Sequence, residues 1–153
     1  MSFKTISNSN LRLAVSCLVF DSAKFQNLLL IKEKKAPFKW CFPGGKLESD
    51  ESIILGMERE TFEETGYKIR VVPGSLFNVV EYRESDYLII SGMAFLENLK
   101  PQDEGRPDRD LVIQQKLYSL DHHDPSSLWK TDDSEFIPGL KDIVQRFLYT
   151  YQK

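Results

Sequence analysis

Glu60, Glu63 and Glu64 stand at i, i+3 and i+4 in the run Glu58-Arg59-Glu60-Thr61-Phe62-Glu63-Glu64-Thr65. On a helix, at about 100° per residue, that spacing gathers three carboxylates within one arc of about 100°. Like charges so placed repel and destabilise an isolated helix. A hard divalent cation offsets the repulsion, because Mg²⁺ and Mn²⁺ take oxygen ligands and favour carboxylates. Such an ion bridges pyrophosphate oxygens, lowers the pKa of a bound water and sets its line of attack on phosphorus. Arg59 can orient a neighbouring carboxylate or meet a phosphate oxygen. The plainer alternative is a solvated acidic face with Arg59 as its local counter-charge.

The elements around the cluster favour the first reading. Just upstream lies Trp40-Cys41-Phe42-Pro43-Gly44-Gly45, a bend whose paired glycines let backbone approach a metal or phosphate closely. It feeds the N-terminus of a helix expected over Glu51–Thr65, where anions are favoured. Ser49 or Asp50 is the candidate cap, Asp50 and Glu51 suit the positive end of the dipole, and Gly66 ends the helix. Ile54, Met57 and Thr61 share one side and Leu55 and Phe62 another, which predicts a helix covered on more than one side.

Residues 11–20 and 27–33 read as two apolar strands joined by a turn at Asp21–Gln26, with a loop over 34–44. Further strands are expected in "YKIRVV", "SLFNVVEYR", "DYLIISGMAFLE" and "LVIQQKLYSL", with Glu84–Asp86 as a hairpin turn. Residues 98–110 form a long polar loop, and 137–150 an amphipathic C-terminal helix. The pattern is a mixed α/β domain with mostly antiparallel strands.

The chain has 153 residues, 41% of them apolar and 28% charged, which suits one compact domain over residues 1–153. Its formal net charge of −3 argues against nucleic-acid backbone as a partner, so an anionic substrate needs a local site. Cys17 and Cys41 sit in apolar runs outside any zinc spacing and read as free buried thiols. No apolar run reaches the ~18 residues of a membrane span. The polar start "MSFKTISNSN" carries no signal core, so a cytoplasmic location is expected. His122 and His123, adjacent in a turn, read as surface residues.

The stretch from Gly45 to Tyr67 resembles the Nudix box, GX5EX7REUXEEXGU, where U is a bulky residue. Gly45, Glu51, Arg59, Glu60, Glu63, Glu64 and Gly66 fall in register. Thr61 stands where an aliphatic residue is usual, and Tyr67 fills the last bulky position. "WCFPGG" is similar to the tract that commonly precedes the box.

The resemblance implies an α/β fold: an α/β/α sandwich around a mixed sheet, with the box as loop–helix–loop. It implies a hydrolase that uses Mg²⁺ or Mn²⁺ to cleave a nucleoside diphosphate linked to another moiety X. Glu60 and Glu64 would be the main metal ligands, joined by the Gly45 carbonyl. Glu63 would be a further ligand or the water-activating residue, and Arg59 would orient a catalytic carboxylate. Glu51 would hold the helix or the metal waters, with Gly44 and Gly66 shaping the two loops. Relatives often take a base from a loop beyond the box, which makes Glu104, Asp108 and Asp110 candidates. Lys32 and Lys34 would meet substrate phosphates, although strand-end lysines are also commonly just solvated. Trp40, Phe42, Tyr82 and Tyr87 are candidates for stacking on a base, a role that competes with plain core packing.

Within the family, a non-hydrolytic nucleotide-binding module usually loses box glutamates, which this chain keeps; isoprenoid diphosphate isomerisation is the other departure. X is open among nucleoside triphosphates, nucleotide sugars, ADP-ribose and dinucleoside polyphosphates. The region after the box lacks the proline expected of ADP-ribose enzymes, and Tyr82 lies near a tyrosine of dinucleoside polyphosphate hydrolases. Many relatives are homodimers; neither a nucleic acid nor a membrane is an expected partner.

Overall fold

A computed structural model describes residues 12–35, 37–75, 78–82, 87–103 and 111–151, with the backbone alone over 78–82. The long apolar run at the start forms β1 (Arg12–Phe20), and an Asp21-anchored turn leads into β2 (Asn27–Glu33). Asp21 closes that turn by accepting from the backbone and side-chain amides of Asn27. Then come β3 (Trp40–Cys41), β4 (Gly44–Lys46), α1 (Ile53–Thr65), β5 (Ile69–Val71), β6 (Asn78–Tyr82), β7 (Tyr87–Leu96) and β8 (Val112–Ser119). Single 3₁₀ turns at Leu128–Lys130 and Asp133–Glu135 precede α2 (Leu140–Tyr151).

The described strands make one mixed sheet. At its centre β1 and β7 run parallel in unbroken register from Arg12↔Tyr87 to Phe20↔Phe95. The remaining pairings are antiparallel: β7 with β5 and β6, and β2 with β8. On its other edge β1 is shared. Val19 and Phe20 pair with β2, while Ala14, Val15 and Ser16 pair with β4. Correspondingly, Ile31 and Lys32 of β2 pair with β3. β1 and β2 therefore diverge, and the glycine strand fills the opening.

Side chains alternate along β1, so the sheet buries both faces. Val15, Cys17 and Val19 pack with Met57 of α1 and with Tyr67, Ile69 and Val71. Leu18 and Phe20 pack with Leu140, Val144 and Phe147 of α2. Phe20 stacks on Phe147 at 5.1 Å between ring centroids. Removing a fully buried ring of this kind costs about 3–5 kcal/mol. The architecture is an α/β/α sandwich, as the resemblance implied.

Three local expectations are corrected. α1 begins at Ile53 with Ser52 as its cap, whose hydroxyl accepts from Leu55 N–H. Asp50 cannot serve, because it sits in the left-handed region at φ 64°, and Glu51 lies before the first turn. The helix is covered on one side only: Met57, Glu60, Thr61 and Glu64 are buried, whereas Ile54 and Leu55 are exposed. The 34–44 loop contains β3 and the start of β4. The hairpin turn placed at Glu84–Asp86, like Glu104, Asp108 and Asp110, lies outside the described residues.

Candidate active site

Met57, Glu60, Thr61 and Glu64 follow the i, i+3, i+4, i+7 spacing of one helical face. That face lies against the sheet where β1 and β2 diverge. Two glutamates are therefore carried inward: Glu60 is 9% and Glu64 6% exposed. Burial of carboxylates is costly unless they are partnered, and both are met at the glycine bend. Glu64 Oε1 accepts from the backbone N–H of Gly44 at 2.8 Å. Glu60 lies so close to Gly45 that a Cβ there would come within 2.6 Å of Oε2. Gly44 is as tightly held on its other side, where a Cβ would strike the Val15 carbonyl oxygen. Glycine at both positions is the condition for the acidic helix to dock on β4.

Arg59 organises the remaining charge. Its Nε and Nη2 donate to the two oxygens of Glu51 at 2.6 and 2.9 Å, a bidentate pair. Nη1 donates to Glu60 Oε1 and Glu63 Oε2, each at 3.0 Å, and Nη2 also donates to the Lys46 carbonyl at 3.1 Å. The bond from Arg59 is the main cause that holds the Glu51 carboxyl below its usual range, and Glu51 in turn keeps Arg59 protonated. Glu51 also accepts from the Glu48 N–H and lies next to Gly56, so it ties the loop before the helix to the helix itself.

Glu60, Glu64, Gly44 and Gly45 form one wall of a cavity of about 470 Å³. Lys34, Lys35 and Lys46 also line it, with Glu33 and Leu111. The cavity thus joins hard oxygen donors to ammonium groups, the combination a diphosphate and a divalent cation require together. The three glutamates are not gathered round one point. Arg59 takes up Glu60 and Glu63 while Glu64 is turned to Gly44, and no cluster of three acidic, His or Cys groups among the described residues is close enough to chelate one ion. The donor chemistry fits a hard cation at Glu60, Glu64 and the Gly45 carbonyl, and Glu63 lies one hydrogen bond away through Arg59.

The other candidates separate. Lys34 reaches the cavity; Lys32 does not line it and lies over the Trp40 ring, 5.0 Å from its centroid, near Glu135 at 3.9 Å. Trp40 is 7% exposed and packs edge-on against Tyr118, so burial in the core takes the place of base stacking. Phe42 is buried in the same core and borders an apolar recess on the α2 face of the sheet. The side chain of Tyr82 is outside the described residues. Gly66, at φ 77°, ends α1 in the left-handed conformation and accepts from Gln102 N–H. Cys17 is buried, and Cys41 is partly buried with its thiol pushed up to about 12, chiefly by desolvation. Neither is a nucleophile in that state. His122 and His123 are exposed, and His122 stacks on Trp129 away from the site.

Sequence reasoning missed Lys35 and Lys46 as cavity residues. Lys35 extends the Lys32–Lys35 run, and Lys46 lines the cavity because it directly follows Gly45. It also missed Gln115, which donates to the Thr65 carbonyl at the end of α1 and had no signal in the sequence.

A family model described as the NUDIX domain matches residues 10–140. Diphosphoinositol polyphosphate phosphohydrolase 3-alpha of Mus musculus is 30% identical over 81 residues, covering 53% of this chain and 48% of that protein. Diphosphoinositol polyphosphate phosphohydrolase 2 of Rattus norvegicus is 28% identical over 81 residues, covering 53% and 44%. The matched stretch thus spans about half the length of these relatives or less. Among solved structures, a NUDIX hydrolase from Nitrosomonas europaea superposes with a TM-score of 0.70 at 21% identity, over 95% of this chain and 74% of that one. A C. elegans Ap4A hydrolase binary complex gives 0.68 at 14% identity, over 93% and 98%. At those identities the structural likeness speaks for the fold alone.

Proposed function

The chain belongs to the Nudix family of hydrolases, and on that footing we propose that it cleaves the pyrophosphate bond of a nucleoside diphosphate linked to a second moiety, using Mg²⁺ or Mn²⁺. The observation that carries this reading is the pair of buried carboxylates, Glu60 and Glu64, held on the Gly44–Gly45 bend in a cavity that Lys34, Lys35 and Lys46 also line.

A divalent cation held by Glu60, Glu64 and the Gly45 carbonyl would supply charge neutralisation at the phosphates and a more acidic water. The chain's own groups do the rest. Lys34, Lys35 and Lys46 meet the outer phosphoryl oxygens and set the diphosphate against the acidic wall. Gly44 N–H fixes the rotamer of Glu64. Arg59, anchored by Glu51, positions Glu60 and Glu63, and Glu63 is the acceptor for the proton of the attacking water. Glu104, Asp108 and Asp110 are the alternative acceptors.

The test is a phosphate-release screen over nucleoside triphosphates, nucleotide sugars, ADP-ribose, dinucleoside polyphosphates and diphosphoinositol polyphosphates, with each metal. Turnover that disappears in Glu64→Gln supports the reading. Binding without turnover across the panel would replace it with a nucleotide-binding module, and isomerisation of an isoprenoid diphosphate without phosphate release would replace it with an isomerase.

A further inference from the structure

Beside the acid cavity, the outer end of the sheet brings together two cations and one phenol. Arg12 of β1 is in register with Tyr87 of β7, and Ala14 of β1 with Lys46 of β4. Residues paired across strands share a face, so Arg12, Tyr87 and Lys46 project from the same side. That is the face on which Ala14 and Ile89, one row further in, line the apolar recess. The Lys46 ammonium lies 5.6 Å from the centroid of the Tyr87 ring. Arg12 and Lys46 are turned toward the Tyr87 hydroxyl oxygen, and among the described residues no acceptor meets the hydroxyl's own proton. Arg12 first, and Lys46 after it, hold its ionisation below the ordinary range for tyrosine.

We propose that Arg12, Lys46 and Tyr87 form a second anion subsite that receives a phosphate group of the substrate beyond the scissile diphosphate. A phosphate group matches the donors: a guanidinium fork, an ammonium and a hydroxyl can each give a hydrogen bond to a different oxygen. Arg12 and Lys46 can only donate, so the proton of the Tyr87 hydroxyl still needs an acceptor, which a phosphate oxygen would provide. Lys46 belongs to both places, since it also lines the acid cavity. The recess and the acid cavity lie on opposite faces of the sheet but meet at the Gly44–Gly45 bend, which borders both. One substrate can therefore pass round that open edge, with its diphosphate at Glu60 and Glu64 and a further phosphoryl group at Arg12 and Tyr87. The subsite selects for substrates whose X group is itself phosphorylated over those, such as ADP-ribose, whose X group carries no further phosphate. The assignment to a substrate phosphate rests on the hydrolase reading; the anion site itself does not.

The two are separable by removing the metal. Arg12 and Tyr87 lie outside the acid cavity, so tripolyphosphate titrated into the whole chain in EDTA by calorimetry reports the basic cluster through its dependence on those two residues. Binding should weaken about ten-fold in Arg12→Gln and in Lys46→Gln, the loss expected for one charge-assisted hydrogen bond. The near-ultraviolet tyrosinate difference spectrum should change on binding, and the change should vanish in Tyr87→Phe. This reading on the wild-type chain holds even where a charge variant fails to fold. In turnover, Arg12→Gln should raise KM for an X-phosphorylated substrate about ten-fold relative to KM for ADP-ribose. Absence of tripolyphosphate binding in EDTA, or affinity unchanged in both charge variants, overturns the subsite while leaving hydrolysis standing. An unmoved KM ratio overturns the assignment to a substrate phosphate and leaves a site for free phosphate. A chain inactive on every substrate, with metal-free binding retained, fails as a hydrolase and keeps the subsite.

Discussion

Glu64 Oε1 and the backbone N–H of Gly44 are joined by a 2.8 Å hydrogen bond that locks the acidic helix onto the glycine strand. That oxygen is thus a structural acceptor, while the charge of the carboxylate serves the proposed metal. Glutamine keeps an acceptor oxygen but loses the charge. Glu64→Gln should lower kcat by several orders of magnitude while unfolding stability moves by no more than about 1 kcal/mol. Paired kinetics and urea melts decide it: a large loss of stability would make Glu64 a structural residue first.

Arg59 and Glu51 give the site a signature in acid. The bond from Arg59 holds the Glu51 carboxyl below its ordinary range in the folded chain. The unfolded chain binds that proton more readily. The stabilisation is therefore complete above the free glutamate value of ~4.3 and is lost as pH falls through the lowered folded value. Glu51→Gln should flatten that part of the stability curve. Urea midpoints taken from about pH 7 to about pH 3 measure it, and parallel curves for the two proteins would rule the linkage out.

The two glycines of the bend should fail differently. An alanine Cβ at Gly45 meets the end of the Glu60 side chain at 2.6 Å, and that carboxylate can swing away. At Gly44 it meets the fixed carbonyl of Val15. Gly45→Ala should therefore lose most activity with little change in melting temperature. Gly44→Ala should cost about 1–3 kcal/mol or more, the range for forced overpacking. Equal effects on fold and activity in both variants would contradict this division.

What could be read in advance, and what could not, follows from the range of the interactions. Glu60, Glu63, Glu64, Arg59 and Gly66 are fixed by spacing within one helix, and their register was legible. So was the continuous apolar run that makes β1 a buried strand. The cap was misplaced because Asp50 adopts a left-handed conformation that no local pattern announces. Trp40 looked available for stacking until Tyr118, 78 positions along the chain, packed against it. The Arg12–Tyr87–Lys46 grouping arises from pairings between strands distant in sequence, and such non-local register is beyond a reading by period and propensity.

Thr61 tests one of the two soft positions of the box. It is fully buried, and its hydroxyl has no partner among the described residues. Thr65, one turn on, does bond back to the Thr61 carbonyl at 2.6 Å. An orphan buried hydroxyl costs about 1–3 kcal/mol. Thr61→Val keeps the shape, removes the unpaired group and supplies the aliphatic residue usual in the family. It should raise stability by about 1 kcal/mol with kcat unchanged. A destabilised variant would mean the hydroxyl is satisfied by water.

Metal binding should itself be legible as stability. The buried wall of Glu60 and Glu64 is assembled only in the folded chain, because the two side chains need the Gly44–Gly45 strand across from them. A cation that binds there and not to the unfolded chain stabilises by about 2.7 kcal/mol at a hundred-fold excess over its Kd. Mg²⁺ or Mn²⁺ should then raise the melting temperature in a saturable way. Sodium chloride at equal ionic strength should not, since screening alone saturates no site. EDTA should reverse the rise and abolish turnover together. Glu64→Gln should shrink the rise, while Arg59→Gln, which releases Glu60 and Glu63, should destabilise the metal-free protein and leave the metal-induced increment in place. Melting temperatures indifferent to both metals would remove the physical basis for cation-assisted hydrolysis at this site.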